Sequence, residues 1–550
     1  MTIPPKQTLL GPFLGYVTDT RATIWVQISD LLPAEVRSFF VTIHQTAVDA
    51  PMTQTAAMKL SYESFGVGII TFVGLQSDTV YFYRFWSDSD HTVPADVHGL
   101  VDTDLHFRTL PANGFDDHLD FLLMSCHNPE TSTKDGADGF AVWAQMPEIM
   151  AQNKNVRFAI LAGDQIYGDE VEVPVRNEPD LRKRQDLYLG VYKKFWDNIN
   201  YRRVLCSLPS VLMWDDHDLT DGWGSREDSF PNATSSTFEP DWVRLFQAAR
   251  SVFAQMQASR NPPPLSQNYA AGFDYCFKLG SVAFAVPDLR SNRNVRQRRI
   301  LLPEQLDSIR RWVEANKKDL DVLFFVSTVV FSHGSPEIER GIIKYWFLVL
   351  DFVRWLGKFR LFKRSTDRFN QAVGDLRDDI NDSWGSDANR PEADRALDFL
   401  FALQNPINGD KPVNVVILSG DIHTPGYSTI YSADPNHKTK AVIPHIVATP
   451  VSYQPFSWVG EAIFRHLTRS VDLGEKHIYS AQVSHHFCYR NVVVVSFRKF
   501  AGTSEPEMHL KVKYYLEGYP EPQIMLFDLN RSSHREAIQW PKPTPKSPLP

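Results

Sequence analysis

Four apolar segments of this chain end in side chains that can bind metal ions. The segments 121–126, 158–164, 210–216 and 413–421 read FLLMSC, FAILAGD, SVLMWDD and VNVVILSGD, and they end in Cys126, Asp164, Asp216 and Asp421. Short apolar runs of this kind are typical of buried parallel strands, whose carboxyl ends meet at one edge of a sheet. A single acid after a strand is also typical of a helix cap. Four such ends, and the cost of burying an ionised carboxylate, instead predict a shared metal site.

The neighbours of these strand ends extend the candidate ligand set. Tyr167, His217 and His423 follow three of the segments, and Asp215 precedes Asp216. Carboxylate and phenolate oxygens suit hard cations, while a thiolate adds a soft, strongly donating ligand. These preferences predict trivalent iron (Fe3+) beside one or more divalent ions, held by a set that mixes Cys126, Asp164, Tyr167, Asp216 and His423. Asp164 is predicted to bridge two of these cations.

The same strand ends carry short motifs that resemble those of a known family. The motifs are SC at 125–126, GDQIY at 163–167, WDDHD at 214–218 and SGDIH at 419–423. In this order they resemble the signature set of the PhoD-like (alkaline phosphatase D) metallophosphatases, a branch of the calcineurin-like metallophosphoesterase superfamily. The segments 288–293 and 384–395 resemble two further blocks of that family, so the resemblance covers most of residues 120–450.

The resemblance implies a fold and a metal set. The fold is α/β, a four-layer α/β/β/α sandwich that follows an N-terminal all-β domain. Calcium (Ca2+) is implied as the divalent partner of the iron, in preference to Mn2+ or Zn2+. Asp216 stands where the wider superfamily has an Asn ligand to the second metal, and Asp421 and His423 match two of its His ligands. Residues 125–127 read SCH where most of the superfamily has Asp-x-His, as in PhoD-like proteins.

The activity implied is hydrolysis of a small phosphate ester, as by a phosphodiesterase or an alkaline phosphatase D-type monoesterase. A metal-activated hydroxide attacks phosphorus in line while the metals hold the non-bridging oxygens. Asp164, His217 and Arg290 are the predicted catalytic residues, with His217 as general acid or as a donor to the phosphoryl oxygens. Arg290 and Arg293 are predicted to bind the substrate phosphate, because a guanidinium group matches two oxygens; ion pairing at the surface is the alternative. Asp288 is predicted beside them, as a ligand or as an arginine partner.

Two further functions are compatible with the sequence. The segment 338–364 has the composition of a basic amphipathic helix, which is typical of an inserted helix packed on the core, of a lid, or of a peripheral membrane contact. If the segment contacts a membrane, the implied substrate is a phospholipid. Dependence of activity on vesicles or detergent distinguishes this function from hydrolysis of a free small phosphate ester. The other alternative is a non-catalytic protein that binds phosphate esters or metals on the same scaffold. The complete set Asp164, Asp216, His217 and His423 argues against it.

Patterns along the chain predict three regions. Residues 1–112 contain runs of β-branched and aromatic residues between turn signals, which predict a β-sandwich accessory domain. Residues 119–518 alternate strands with helical stretches, such as 186–205, and predict the catalytic domain. Within it, residues 338–390 are predicted as an inserted helical and acidic segment. Residues 519–550 are rich in proline and predict an extended C-terminal tail.

Composition argues against several classes of function. The chain has 550 residues, a formal net charge of −8 and 43% hydrophobic residues, as expected of a globular protein that does not bind nucleic acid. Its four cysteines show neither a zinc spacing nor the density of a disulfide scaffold. The first residues, MTIPPKQTLLGPFLGYV, show neither a signal peptide nor a twin-arginine motif, so we expect a cytoplasmic protein. The sequence does not indicate an oligomeric state.

Overall fold

The structure of the protein is a computed structural model, which describes residues 9–112, 114–115, 117–130, 138–225, 240–331, 382–407, 409–437, 440–455, 470–500 and 506–530. The segment 338–364, on which the predicted membrane contact depends, lies outside the described residues. So does most of the insertion predicted at 338–390. Across the described ranges, no helix combines the length and the apolar character needed to cross a bilayer.

The N-terminal region folds as two antiparallel sheets, as its β-rich sequence predicted. Its strands are β1 (Leu10–Val17), β2 (Arg21–Gln27), β3 (Val36–Gln45), β4 (Met52–Ser61), β5 (Val67–Val73), β6 (Val80–Trp86) and β7 (His106–Arg108). One sheet has the order β1-β2-β5 and the other the order β4-β3-β6-β7. The alternation in β6 shows how the sheets form a core, because Tyr81, Tyr83 and Phe85 are buried while the residues between them are partly exposed.

The rest of the described chain alternates strands and helices. The strands are β8 (His118–Met124), β9 (Val156–Ala162), β10 (Ser210–Met213), β11 (Tyr275–Leu279), β12 (Val282–Val286), β13 (Val322–Ser327), β14 (Asn414–Ser419), β15 (Gly426–Ser432), β16 (Val442–Val447), β17 (Ser470–Leu473), β18 (Tyr479–His486), β19 (Asn491–Phe500), β20 (Glu507–Leu516) and β21 (Gln523–Asp528). The helices are α1 (Ala141–Gln152), α2 (Glu172–Asn177), α3 (Leu181–Trp196), α4 (Ile199–Leu205), α5 (Pro240–Met256), α6 (Pro303–Asn316) and α7 (Arg390–Gln404).

Two central sheets organise these elements. The six-stranded sheet has the order β10-β9-β8-β19-β20-β21, and its strands β8, β9 and β10 run parallel. The eight-stranded sheet has the order β11-β12-β13-β14-β16-β15-β18-β17, and its strands β12, β13, β14 and β16 run parallel. Each set of parallel strands delivers its carboxyl ends to one edge of its sheet, where ligand sites form in α/β folds.

The two sheets pack face to face between helical layers. Phe121 of β8 packs edge-on against Phe284 of β12 and Phe324 of β13, with ring centroids 5.3 and 5.2 Å apart. The neighbours of Phe324, Leu323 and Phe325, belong to a second buried cluster that includes residues of α6 and α7. The other sheet shares its buried cluster with residues of α1, α3, α4 and α5. The predicted four-layer α/β/β/α sandwich is therefore confirmed.

Two parts of the secondary structure differ from the predicted pattern. The stretch 186–205, predicted as helical throughout, forms the end of α3 and all of α4, because Asn198 between them accepts a hydrogen bond from the backbone N–H of Asn200 (2.8 Å) and caps α4. Strand β21 lies within the segment predicted as a proline-rich tail and pairs with β20 at the sheet edge. Residues 531–550 lie outside the described residues.

A buried arginine ties the N-terminal sheets to the α/β region. The side chain of Arg202 in α4 is 1% exposed and donates to four backbone carbonyl groups at 2.6–3.2 Å, those of Leu9, Gly11, Val97 and His98. All four acceptors lie in the N-terminal region. The N-terminal sheets are therefore fixed to α4 by buried hydrogen bonds, where water does not compete with the guanidinium group.

Replacement of Arg202 by Met is expected to lower the free energy of unfolding by about 2–4 kcal/mol, because buried carbonyl oxygens lose their donors. Urea denaturation measures this change. The matched control is Arg203→Met, at a side chain that is 44% exposed and lies 3.6 Å from Asp104. This control is expected to change the free energy of unfolding by less than about 0.5 kcal/mol. Equal destabilisation by the two variants contradicts the role given to Arg202.

Candidate metal centre

The predicted ligands converge on the carboxyl ends of four strands. Cys126 follows β8, Asp164 follows β9, Asp216 follows β10, and Asp421 follows β14 of the opposing sheet. Cys126, Asp164, Asp421 and His423 have left-handed backbone conformations, with φ of 58°, 52°, 69° and 53°. Residues other than glycine rarely adopt such angles, and strained positions of this kind cluster at functional sites. The backbone is thus bent at three of the four strand ends.

Two groups of side chains place their ligand atoms close enough to share a cation. The first is Asp164, Asp216 and His217, and the second is Asp215, Asp216 and Asp421; within each group these atoms lie within 4.8 Å of one another. Asp216 belongs to both groups. The sequence predicted Asp164 as the bridging ligand, whereas the shared position in this geometry is that of Asp216.

Cys126 contacts residues that follow strands of both central sheets. Its fully buried Sγ lies 3.3 Å from Oδ2 of Asp164 and 3.1 Å from the carbonyl oxygen of Asp421. The hydroxyl of Thr449 donates to the same sulfur at 3.0 Å. Burial, together with the charge of Asp164, raises the pKa of the Cys126 thiol well above its ordinary value. A thiolate at this position therefore requires a nearby cation.

Several buried polar atoms at the cluster lack a hydrogen-bond partner among the described residues. They are the Tyr167 hydroxyl, Oδ1 of Asp164, Oδ2 of Asp215 and Nδ1 of His423. Buried polar atoms are normally satisfied by protein, water or an ion. Phenolate, carboxylate and imidazole groups are also the donors that bind iron and divalent ions. The donor set therefore fits the predicted metals.

Arg290 is buried among carboxylates. A guanidinium group has five N–H donors, and all five of Arg290 are used within the protein. Nε donates to Asp215, Nη1 to Asp382 (3.0 Å) and to the carbonyl of Trp223 (3.1 Å), and Nη2 to Asp382 (2.8 Å) and Asp216 (3.3 Å). Arg290 therefore has no N–H group left for the predicted contact with substrate phosphate, and the structure gives it a different role. Arg290 neutralises and orients the carboxylates behind the candidate metal positions.

The other two residues predicted to bind substrate also have structural contacts. Arg293 is buried and pairs with Asp382 through Nη1 at 2.7 Å. Asp288 accepts hydrogen bonds from the Trp214 indole (2.8 Å) and from backbone and side-chain groups of its own turn, including Ser291. These contacts make Asp288 a turn residue, in place of the predicted ligand or arginine partner.

The cluster carries more negative charge than its arginines balance. Burial raises the pKa of Asp164 and of Asp421 well above the ordinary value, and it raises the pKa of Asp215 to about 6 despite the charge of Arg290. For Asp216 burial acts in the same direction, but Arg290 and His217 outweigh it and lower the pKa to about 2. Bound cations would supply the missing positive charge and keep these carboxylates ionised.

His217 is held by an acid that the sequence reasoning did not single out. Nδ1 of His217 lies 2.8 Å from Oδ2 of Asp169, and Oδ1 of Asp169 accepts the backbone N–H of Asp221 (2.5 Å). Burial disfavours the imidazolium, yet Asp169 and Asp216 outweigh it and hold the pKa of His217 well above its ordinary value. A protonated His217 has the state that the predicted general acid requires. The sequence did contain an indication of this role, because Asp169 stands in the same strand-end segment as Asp164.

Three more residues at the cluster were missed. Asp382 pairs with both buried arginines, and residues 332–381 before it lie outside the described residues. Thr449 and Tyr453 follow β16, which carries the same strand-end pattern as the other ligand segments. The Tyr453 ring stacks on His423, with ring centroids 3.8 Å apart. His127, next to Cys126, is a core residue that contacts Ser452 (2.8 Å) and the carbonyl of Phe195 (3.0 Å).

Comparison with known proteins identifies the family and the fold of this chain. The sequence model of the PhoD-like phosphatase family matches residues 121–499, and the chain belongs to that family. A solved structure described as "Structure of PhoD" superposes with a TM-score of 0.63 at 15% identity, over 98% of this chain and 94% of that one, and it shares the fold. "Uncharacterized protein YGR266W" of Saccharomyces cerevisiae is 22% identical over 406 residues. That match spans 64% of this chain and 56% of the yeast protein.

Replacement of Asp169 by Asn is expected to lower kcat for any phosphate ester that the wild-type protein hydrolyses by about 10–100-fold, as loss of a residue that orients a functional His typically does. The amide NH2 would face either the imidazole N–H or the backbone N–H of Asp221. Steady-state kinetics measure the rate, and elemental analysis is expected to give an unchanged metal content. The matched control is Glu170→Gln, at the adjacent half-exposed acid that pairs with Lys194. An unchanged kcat for Asp169→Asn contradicts the role of Asp169.

Proposed function

We propose that the protein is a metal-dependent hydrolase of small phosphate esters, acting on phosphodiesters or phosphomonoesters. The observation that carries this proposal is the convergence of buried carboxylates, a thiol, a phenol and imidazoles from four strand ends. Such a constellation is costly to bury without cations, and hydrolases of phosphate esters commonly use two or more of them. Membership of the PhoD-like phosphatase family supports the same reaction class.

The residues at the cluster offer two kinds of metal ligand. Cys126, Tyr167 and His423 supply the soft and phenolic donors that suit Fe3+, and Asp164, Asp216 and Asp421 supply the oxygens that a calcium ion also accepts. When bound, the metals would lower the pKa of a water molecule and hold the phosphoryl oxygens. Mn2+ and Zn2+ fit this mixed set less well than iron with calcium.

The other residues position the reacting groups. Asp169 orients His217, so that its Nε2 is the nitrogen left to protonate the leaving oxygen of the ester. Arg290 holds Asp215 and Asp216 in place from behind, which limits their movement when cations bind. Every N–H donor of Arg290 is already engaged, so His217 is the side chain proposed to contact the phosphate, beside any metals that Asp164, Asp216 and Asp421 would hold.

The phospholipid alternative and the cytoplasmic location stay predictions. The membrane-facing element of that alternative, 338–364, lies outside the described residues, and no contact within the described ranges favours a lipid substrate. A free small phosphate ester is therefore the substrate class that we propose.

Replacement of Asp164 by Asn is expected to reduce kcat/KM for bis(p-nitrophenyl) phosphate by about a thousandfold, equivalent to about 4 kcal/mol, because both its charge and a ligand oxygen are lost. Comparison with p-nitrophenyl phosphate ranks diester against monoester hydrolysis. The control is Asp186→Asn, at an exposed acid paired with Arg182, and it is expected to be fully active. Wild-type protein that binds its metals but hydrolyses neither ester contradicts the proposal and favours the non-catalytic alternative.

A further inference from the structure

A second concave site lies beside the metal centre. It is a cavity of about 630 Å³ between α5, the turn at 267–273 and the loop at 291–299, with Trp223 at its inner wall. Binding pockets for small molecules typically have volumes of about 300–1,000 Å³. The cavity therefore has room for one compound of metabolite size.

The charged side chains that line this cavity are all cationic. Among the described residues that line it, Arg250, Arg293 and Arg299 are cationic, and none is an aspartate or a glutamate. Arg250 donates to the carbonyl of Tyr269 at 2.6 Å, and Arg299 donates to the carbonyl of Asn292 at 2.9 Å. A carbonyl oxygen fixes a guanidinium group without cancelling its charge. Arg250 and Arg299 thus point to an anionic ligand.

The same wall offers aromatic rings to a flat ligand. Phe246 and Tyr269 are partly exposed at the cavity. Phe246 stacks on Trp223 with ring centroids 5.4 Å apart and planes inclined by 6°, and Tyr269 packs on Phe273 at 4.7 Å. Rings that are supported from behind in this way present rigid apolar faces, on which another aromatic ring packs favourably.

We propose that this cavity is a binding site for a phosphorylated aromatic compound of the size of a mononucleotide. The anionic group pairs with Arg250 and Arg299, and the ring packs against Phe246 and Tyr269. This site is distinct from the candidate metal centre, because none of the candidate metal ligands lines it. The two sites adjoin through Arg293 of the cavity wall, which pairs with Asp382, the partner of Arg290. The proposal does not depend on the hydrolase function.

Isothermal titration calorimetry of the full-length Asp164→Asn protein tests the proposal, because that variant is not expected to consume the probe. The probes are adenosine 5′-monophosphate, adenosine and ribose 5-phosphate. We expect the monophosphate to bind once per chain and at least tenfold more tightly than either fragment. Adding Arg250→Gln and Arg299→Gln together is expected to weaken that binding about 100-fold, since each charge-assisted contact contributes about tenfold.

Two further variants separate loss of charge from loss of structure. Arg250→Lys keeps the positive charge and is expected to retain most of the binding. Arg296→Gln removes an exposed arginine from the same loop, outside the cavity lining, and is expected to bind as tightly as the parent. Thermal unfolding is recorded for each variant. If Arg250→Gln unfolds, binding is compared for Arg299→Gln and Arg250→Lys instead.

Three results overturn the proposal. The first is no detectable binding of adenosine 5′-monophosphate at millimolar concentration. The second is binding that the Gln substitutions leave unchanged, which places the nucleotide elsewhere, including at the metal centre. The third is equal weakening by Arg296→Gln, which identifies a general effect of surface charge.

Discussion

The electrostatic balance of one buried cluster governs the rest of this structure. Four buried carboxylates and one partly buried carboxylate face two buried guanidinium groups. The buried carboxylates are Asp164, Asp215, Asp216 and Asp382, the partly buried one is Asp421, and the guanidinium groups are those of Arg290 and Arg293. Burying unbalanced charge is costly, and removing one partner of a buried ion pair costs more than the pair contributes. The carboxylates consequently stay ionised together only with Arg290 in place and with additional positive charge, which bound cations would provide.

The fold holds this cluster together by bringing strand ends from two sheets to one place. The parallel strands β8, β9 and β10 supply one side, and β14 of the opposing sheet supplies the other. Asp218 also links two of the ligand loops, because its carboxylate accepts the backbone N–H groups of Gln165 (3.2 Å) and Asp215 (2.9 Å). The ligand loops are therefore braced by hydrogen bonds as well as by the packed strands beneath them.

The sequence predicted the positions of the candidate ligands better than it predicted their partners. Cys126, Asp164, Asp216 and Asp421 each follow an apolar strand directly, so the local pattern indicates where they lie. The direction of Arg290 depends on Asp382, which is 92 residues away, and a sequence pattern does not distinguish a guanidinium that faces substrate from one that faces carboxylates. The pairing of His217 with Asp169 is likewise a contact between two loops, 48 residues apart, rather than a feature of either motif.

The metal content of protein purified without added metal, together with its visible absorption spectrum, shows whether this cluster binds iron through Tyr167. We predict near-stoichiometric iron and a phenolate-to-iron charge-transfer band that weakens in Tyr167→Phe. The band is expected to persist in Tyr188→Phe, where a buried phenol donates to the carbonyl of Leu219 at 2.7 Å. Protein that contains no metal, or that contains zinc or manganese without iron, contradicts the account of this cluster.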